Sequence, residues 1–321
     1  MRRVSRFACG LGCLLVAATA SAEDVSPHRL LERMNEAVRL LDYEGRFVVQ
    51  SNDRLDAMYI VHRVKEGSEM ERVVSLTGKP REIIRNGEAV ACLVPGRGGH
   101  INVGLRAQGR SFSPLRGVSS DQLEQSYQIE MLHPARVAGR DADQILIQPR
   151  DDLRFGYRLF IDRASALPLR SIMFDGVQEV VSQTMFVELR VDQAITPIEH
   201  DISAMQVAQA DPSAPLPAER LAPPAWGFSE LPPGFQLNVH RRKLIAPAVG
   251  EREHFVFSDG LASVSVYVQP RTDDGGLSGV SRLGNANAVG RPVGDHEVIV
   301  VGEVPVKTLH WFARHIQSAA P

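Results

Sequence analysis

The feature that most constrains the fold is a run of strand-like sequence between Gly45 and Val94. Its segments are rich in β-branched and aromatic residues, and polar, glycine or proline breaks separate them. The segments are Gly45–Gln50, Met58–Val64, Glu69–Leu76, Glu82–Arg85 and Glu88–Val94. Asn86-Gly87 lies between the last two and predicts a two-residue hairpin, because a type I′ turn needs positive φ at both central residues. The sequence therefore predicts one end of a curved antiparallel sheet.

The N-terminus has the pattern of a secretory signal peptide. Three arginines among the first six residues precede an apolar run from Phe7 to Ala18, and Ala20-Ser21-Ala22 offers the small residues that signal peptidase reads. The apolar run is shorter than the roughly 20 residues that a membrane-spanning helix needs. We predict a signal peptide over residues 1–22, cleaved after Ala22, and export of the mature chain.

Composition excludes some classes of function. Two of the three cysteines leave with the signal peptide, so the mature chain keeps only Cys92, which lies in an apolar strand and cannot form an intrachain disulfide. A thiol of this kind is more typical of a small buried hydrophobe than of a redox centre. Loss of three arginines leaves 33 basic against 38 acidic residues and takes the formal charge from −2 to −5. This acidity argues against nucleic acid as a partner.

A helix is predicted to precede the sheet and to cover it. Val25-Ser26-Pro27 begins the helix, because serine is a good N-cap and proline fits the first helical position. Apolar residues then recur at helical spacing. This stripe consists of Leu30, Leu31, Met34, Ala37, Val38 and Leu41. Such a helix closes the apolar face of a twisted antiparallel sheet.

Strand signals return after a long loop, Pro95–Gln125, which includes one short predicted helix near Asp121–Gln125. The later strands are Ser126–Leu132, Arg136–Ala138, Gln144–Gln148, Tyr157–Asp162, Leu169–Phe174 and Val177–Arg190. Together the two blocks give about ten strands, more than a flat open sheet usually holds without curling. The predicted fold is therefore α+β, with a half-open antiparallel β-barrel closed by helices.

The interior of such a barrel either encloses a ligand or is filled by side chains, and the sequence leaves both alternatives open. Alternation along the strands selects candidates for an apolar, ligand-binding concave face. These candidates are Phe47, Val49, Ile60, Val74, Leu159, Ile172, Met185 and Val187.

The chain divides into segments of different composition. Residues 23–207 carry the barrel, and seven of the 20 prolines fall between Pro212 and Pro233, which predicts a semi-rigid linker over 208–233. A smaller α+β domain is predicted over 234–318, with Asp259-Gly260 as a two-residue hairpin turn and a terminal helix after Pro305. Its predicted strands are Phe235–Arg242, His254–Phe257, Ala262–Gln269 and Asp295–Val304.

Motifs for catalysis and metal binding do not occur in the sequence. Nucleophile elbows, P-loops, Rossmann glycine fingerprints and the zincin His-Glu-x-x-His pattern are all absent. We therefore predict a protein that is not an enzyme and that has no catalytic residues, cofactor or metal. Two segments with weak secondary-structure signals, Pro95–Gln125 and Leu277–Arg291, are candidate partner contacts.

Several segments, in this order along the chain, resemble the RseB family of periplasmic stress regulators, called MucB in pseudomonads. These are Tyr43–Phe47, Arg72–Glu82, Tyr157–Asp162 with Leu167–Ser171, Leu231–Phe235, Phe257–Tyr267 and Val300–Pro305. They span nearly the whole mature chain, and their joint order is more specific than any one of them.

The resemblance implies a periplasmic location, a large domain shaped like the lipoprotein carriers LolA and LolB, and a smaller C-terminal regulatory domain. It also implies a partner, the periplasmic domain of a membrane-spanning anti-sigma factor, which such proteins shield from the site-1 protease to keep an envelope-stress sigma factor silent. Lipid or lipopolysaccharide fragments are the expected releasing signal. The barrel alone leaves a second reading, a periplasmic lipid or lipoprotein carrier, and self-association into a homo-oligomer also stays open.

Overall fold

The computed structural model describes residues 26–51, 54–86, 89–93, 123–192, 195–198, 224–246, 250–271 and 276–319. The predicted signal peptide, the predicted loop up to residue 122 and residues 208–223 of the predicted linker lie outside these ranges. Within the described ranges, no helix is both long and apolar enough to cross a bilayer.

A single antiparallel sheet of ten strands forms the larger part of the molecule. Its strands are β1 (Tyr43–Ser51), β2 (Arg54–Lys65), β3 (Ser68–Ser75), β4 (Glu82–Asn86), β5 (Ala89–Leu93), β6 (Tyr127–Val137), β7 (Arg140–Pro149), β8 (Gly156–Asp162), β9 (Pro168–Phe174) and β10 (Val180–Val191). Their order is β5-β4-β3-β2-β1-β10-β9-β8-β7-β6, so β1 and β10 join the two blocks that the sequence predicts.

The sheet curls without closing. β6 approaches β10 in space although β7, β8 and β9 lie between them in the sheet. β5 and β6 remain the two ends of the strand order and are not hydrogen-bonded to each other. The predicted half-open barrel is confirmed.

Helix α1 (Pro27–Leu40) covers this sheet, as predicted. The Ser26 hydroxyl accepts a hydrogen bond from the backbone N–H of Arg29 at 3.3 Å, which satisfies one of the free donors at the helix start. The apolar stripe of the helix is buried in the same core as the strands. Its buried members are Leu30, Leu31, Met34, Ala37 and Val38. We refer to α1 and the ten-stranded sheet as the first unit.

The hairpin between β4 and β5 is shifted by one residue from the predicted turn. Asn86 is still in strand conformation, opposite Met70 of β3 and Ala89 of β5. The two-residue connection is therefore 87–88, which lies outside the described residues. The pairing of β4 with β3 extends through Asn86, and this tertiary contact prevails over the local turn preference of Asn-Gly.

The second unit comprises the described residues from 224 to 319. Its strands are β11 (Trp226–Phe228), β12 (Gln236–Ala246), β13 (Gly250–Ser258), β14 (Ser263–Pro270), β15 (Gly279–Leu283), β16 (Ala286–Val293), β17 (His296–Gly302) and β18 (Ile316–Ser318). Six of them form an antiparallel sheet in the order β12-β13-β14-β17-β16-β15, and helix α2 (Val306–His315) packs on it after Pro305, as predicted.

Both ends of the second unit pair with each other. β11 forms a two-stranded antiparallel sheet with β18, in which Trp226 opposes Ser318 and Phe228 opposes Ile316. The second unit therefore includes residues that the sequence analysis assigned to the linker. Ile316 follows α2 directly and belongs to β18.

Two segments of the second unit differ from the sequence-based predictions. Leu277–Arg291, for which the sequence gives only a weak secondary-structure signal, carries β15 and most of β16, whose Gly, Ser, Arg and Asn residues account for the weak signal. The connection between β13 and β14 has four residues rather than two, because Ser258 opposes Ser263. Asp259 closes this longer turn by accepting hydrogen bonds from two backbone N–H groups within it.

A buried carboxylate fixes the segment that follows β10. The Oε2 atom of Glu44 accepts hydrogen bonds from the Tyr59 hydroxyl at 2.8 Å and from the Thr196 backbone N–H at 3.0 Å, while Arg190 lies 3.4 Å from Oε1. Burial by itself would raise the pKa of Glu44. The hydrogen bonds from Thr196 and Tyr59 and the charge of Arg190 outweigh burial and lower that pKa.

We expect the change Glu44→Gln to lower the free energy of unfolding at pH 7 by about 1–3 kcal/mol, the cost of losing hydrogen bonds to a buried charged group. Because the folded pKa lies below the unfolded value of about 4.3, the contribution is present above that pH and is lost as the pH falls through the folded pKa. Urea unfolding at pH 7, 5 and 3.5 should therefore show a difference from the parent chain that shrinks with acid. A difference that stays constant over this range would contradict the assignment.

Candidate functional site

The eight predicted concave-face residues are not all in the same environment. Phe47, Ile60, Leu159 and Ile172 are buried in the core of the first unit, and Val49 and Met185 are partly buried against it. Val74 is partly exposed, and Val187 is 53% exposed.

The pairing register shows that the eight residues also lie on different faces of the sheet. Ile60 lies opposite Val73, so Val74 is on the other face of the sheet, opposite Tyr59. By the same criterion Phe47, Val49, Ile60 and Leu159 share one face. Ile172 and Met185 lie on the opposite face with Val74.

A β-bulge in β10 explains why simple alternation does not give the face on which side chains of this strand lie. Arg46 pairs with Glu188 and Phe47 with Phe186, so Val187 has no partner on β1. Gly45 permits the close approach of the two strands here, because a Cβ atom at that position would lie 2.3 Å from the Glu188 carbonyl oxygen and 2.8 Å from the Phe186 ring. Simple alternation, counted across this bulge, therefore assigns the side chains on one side of it to the wrong face of the sheet.

Helix α1 lies over the face that carries Ile60. His62, two residues further along β2, is hydrogen-bonded through Nδ1 to the Leu41 carbonyl just after α1, at 2.9 Å, and stacks on Tyr43. The side chain of Met34 on α1 is fully buried. Helix α1 therefore covers the part of this face that β2 and β6 form.

A polar site that the sequence did not predict lies where the two units meet. It begins in the turn Asp151–Arg154 between β7 and β8. Asp151 Oδ1 accepts from the Leu153 backbone N–H and from Arg154 Nε, both at 3.0 Å, and Asp151 Oδ2 accepts from Arg154 Nη2 at 2.9 Å. The turn therefore holds the Arg154 guanidinium in one orientation.

The Arg154 side chain crosses to the second unit and is fully buried there. Its Nη1 donates to Asp259 Oδ2 at 2.5 Å, and its Nη2 donates to the Pro233 carbonyl at 2.6 Å. The guanidinium carbon also lies 5.2 Å from the centre of the Phe235 ring and 5.6 Å from that of Tyr127. The two units share one buried ion pair.

Asp259 is satisfied from both units. Its Oδ2 also accepts from the Tyr127 hydroxyl at 3.0 Å, and its Oδ1 accepts from the backbone N–H groups of Leu261 and Ala262 at 2.9 and 2.7 Å. Burial, and then the negative charge of Asp259, raise the pKa of Tyr127 well above its usual range. The hydroxyl therefore stays protonated and acts as a donor.

Helix α2 makes a further contact with the same turn. The Thr308 hydroxyl donates to the Leu153 carbonyl at 2.5 Å, and Lys307 pairs with Asp152 at the surface. Gly234 completes the junction with positive φ, where a Cβ atom would lie 2.3 Å from the Ser126 hydroxyl. We call these contacts around Arg154 the interunit junction.

The junction can fix the orientation of one unit against the other, because its polar groups bond to one another. Within the described part of the chain, the Arg154 guanidinium donates to carboxylates and to a backbone carbonyl of the chain itself. Among the described residues, no three His, Cys, Asp or Glu side chains are grouped closely enough to hold a metal ion. The arrangement keeps the two units in one orientation, so any surface formed by both is preformed.

The sequence carried only a partial signal for the junction. The adjacent carboxylates Asp151 and Asp152 are typical of a turn, but no local pattern singles out Arg154. Two of the segments that resemble the family, Leu231–Phe235 and Phe257–Tyr267, contain Pro233 and Asp259. The contact between the units has no local sequence pattern, because the residues that form it are about 80 to 155 positions apart. These are the separations from Arg154 to Pro233 and from Leu153 to Thr308.

Comparison with known families covers both units. The sequence pattern of the MucB/RseB N-terminal domain matches residues 26–210, and that of the MucB/RseB C-terminal domain matches residues 220–317. The chain belongs to the MucB/RseB family. The resemblance inferred from the sequence is thereby confirmed.

Individual relatives agree with this membership over nearly their full length. The sigma factor AlgU regulatory protein MucB of Pseudomonas aeruginosa is 32% identical over 321 residues, which cover 97% of this chain and 96% of the relative. The sigma-E factor regulatory protein RseB of Escherichia coli K12 is 27% identical over 317 residues, 96% of each. MucB in the solved MucA/MucB complex of P. aeruginosa aligns with a TM-score of 0.69 and 28% identity, covering 92% of this chain and 99% of that one.

We expect Arg154→Met to lower the free energy of unfolding by about 3–5 kcal/mol, because it leaves the Asp259 carboxylate buried without its cation. The double variant Arg154→Met/Asp259→Asn should lose less than the sum of the two single variants, since the residues interact directly. Guanidinium unfolding followed by far-UV circular dichroism, together with the fluorescence of Trp226 and Trp311 in the second unit, measures both.

A matched control is Arg163→Met, which removes an arginine from an ion pair with Asp143 at 2.7 Å on the surface of the first unit. The Arg163 side chain is 49% exposed, so the loss in the free energy of unfolding should be much smaller than that of Arg154→Met. Equal losses from Arg154→Met and Arg163→Met would show that burial of the junction does not determine its contribution.

Proposed function

We propose that this MucB/RseB-family chain is a periplasmic regulator that binds the periplasmic domain of a membrane-spanning anti-sigma factor and shields it from site-1 proteolysis. It acts by binding rather than by catalysis. The observation that carries the proposal is the similarity, over both units, to the MucB chain of a MucA/MucB complex.

The interunit junction supports a clamp of this kind. A peptide that contacts both units would otherwise have to immobilise one against the other, and that ordering reduces affinity. Arg154, Asp259 and Thr308 already hold the units together before a partner arrives. A preformed surface therefore favours tight binding of a flexible segment.

Release by lipid or lipopolysaccharide fragments is the second part of the proposal. The concave face of the sheet is covered by α1, whose Leu30, Leu31 and Met34 side chains are buried. A lipid that occupies this face with α1 displaced would bind one conformation better than the other. Such a ligand shifts the equilibrium by its differential affinity and weakens any partner that prefers the covered form.

The experiment is a calorimetric titration of the mature chain, Glu23–Pro321, with the periplasmic segment of the anti-sigma factor from the same genome, with and without lipopolysaccharide. We expect a dissociation constant of about 1 μM or lower without lipid, and at least about tenfold weaker binding with it. A scrambled segment of the same composition is the control. In parallel, saturating chain should slow cleavage of the segment by the site-1 protease.

The outcomes separate the two parts of the proposal. Binding that lipopolysaccharide leaves unchanged would remove the lipid signal and keep the partner. No binding in either condition would overturn the regulator assignment and turn attention to lipid or lipoprotein transport by the barrel.

A further inference from the structure

A pocket of about 280 Å³ lies in the second unit, beside β11 and away from the interunit junction. Its lining combines an aromatic wall, an aliphatic floor and a charged rim. The lining residues are Ala225, Trp226, Arg242, Glu251, Glu253, Val268, Pro270 and His296. Neither the family comparison nor the junction accounts for it.

The apolar part of the pocket is formed by well-fixed groups. Trp226 is buried and held in the β11–β18 pair, and its ring meets that of His296 edge to face with centroids 5.1 Å apart. Val268 is buried, and Pro270 lies two residues further along β14 on the same side of the strand. Val268 closes the pocket from below, and the partly exposed Pro270 offers an apolar surface that matches an alkyl chain rather than a polar one.

The charges of the pocket are unequal. Glu253 is buried and engaged with Arg242 Nη2 at 2.6 Å, the Ala225 backbone N–H at 3.0 Å and His240 at 3.0 Å. Arg242 therefore balances the charge of Glu253. Its Nε also forms an ion pair with Glu251 Oε2, at 3.4 Å. Glu251 is the second carboxylate against a single guanidinium, and its side chain is 56% exposed at the rim.

We infer that this pocket receives a lysine or arginine side chain of the anti-sigma segment, an inference that rests on the proposed function. The alkyl stem of such a residue packs on Pro270, as long basic side chains do on apolar surfaces. Its cationic head meets the Glu251 carboxylate and the Trp226 ring, the two groups that attract a cation. The excess carboxylate disfavours a phosphate or carboxylate head in the same place.

The test is a double-mutant cycle between the chain and the segment, measured by calorimetry. Each lysine and arginine of the anti-sigma periplasmic segment is changed to glutamine in turn, and each peptide is titrated into the parent chain and into the Glu251→Gln variant. One basic position should lose about tenfold in affinity for the parent chain and almost nothing for Glu251→Gln. Glu179→Gln, which removes an equal charge from an exposed turn of the first unit, should leave every affinity unchanged.

Trp226 supplies an independent signal. In a Trp311→Phe background it is the sole tryptophan, because the chain contains two, so its emission reports on the pocket wall. The parent segment should change this emission on binding, and the segment that lacks the critical basic residue should change it less.

Each result bears on a different claim. If the parent segment fails to bind the parent chain, both the proposed function and this inference fall. If it binds, but Glu251→Gln has the parent affinity or no basic position couples to Glu251, the pocket assignment alone is overturned. If Glu179→Gln weakens binding as much as Glu251→Gln, general charge rather than the pocket is responsible, and the assignment is again overturned.

Discussion

The structure depends on one buried charge. Removing a guanidinium from water costs several kcal/mol unless partners surround it, and Arg154 finds those partners only when both units are in place. Asp151 comes from its own turn, whereas Asp259 and the Pro233 carbonyl come from the second unit. A buried ion pair adds little net stability compared with apolar residues of similar volume, but removal of one partner is strongly destabilising because it leaves an uncompensated buried charge. The orientation of the two units follows from this chemistry, and any binding surface that spans them follows from that orientation.

The first unit shows how small irregularities decide which side chains face the interior. The bulge at Val187 and the close approach at Gly45 let β1 and β10 join two blocks of strands into one curled sheet. The same bulge changes the relation between sequence position and face. The interior is consequently assembled from Phe47, Ile60 and Leu159 together with the buried side of α1, while apolar residues nearby in sequence point elsewhere.

What could be predicted from the sequence was what local interactions determine. The Ser26 cap, the amphipathic α1, the strands of the larger sheet and the helix after Pro305 each have a signal within a few residues, and each is present. Two predicted strands, Ser126–Leu132 and Arg136–Ala138, are parts of the single strand β6. The turn at Asn86 was displaced by one residue because a neighbouring strand extends the pairing. The faces of Val74, Ile172, Met185 and Val187 were not predictable by alternation, since register and bulges are set between strands. The interunit junction joins residues that no local pattern relates. The only related signal in the sequence is the order of the family segments that contain Pro233 and Asp259.

The pairing of β11 with β18 has a consequence for the order in which the chain acquires its structure. The second unit places its first described strand beside its last, so the unit cannot close until residue 318 is available. The first unit needs nothing beyond residue 198 for its sheet and for the contact at Glu44. A chain delivered N-terminus first would therefore assemble its barrel early. The Arg154 side chain would then lack its Asp259 partner until the second unit folds. Closure of the strand pair at the chain's far end would be the step that completes the molecule.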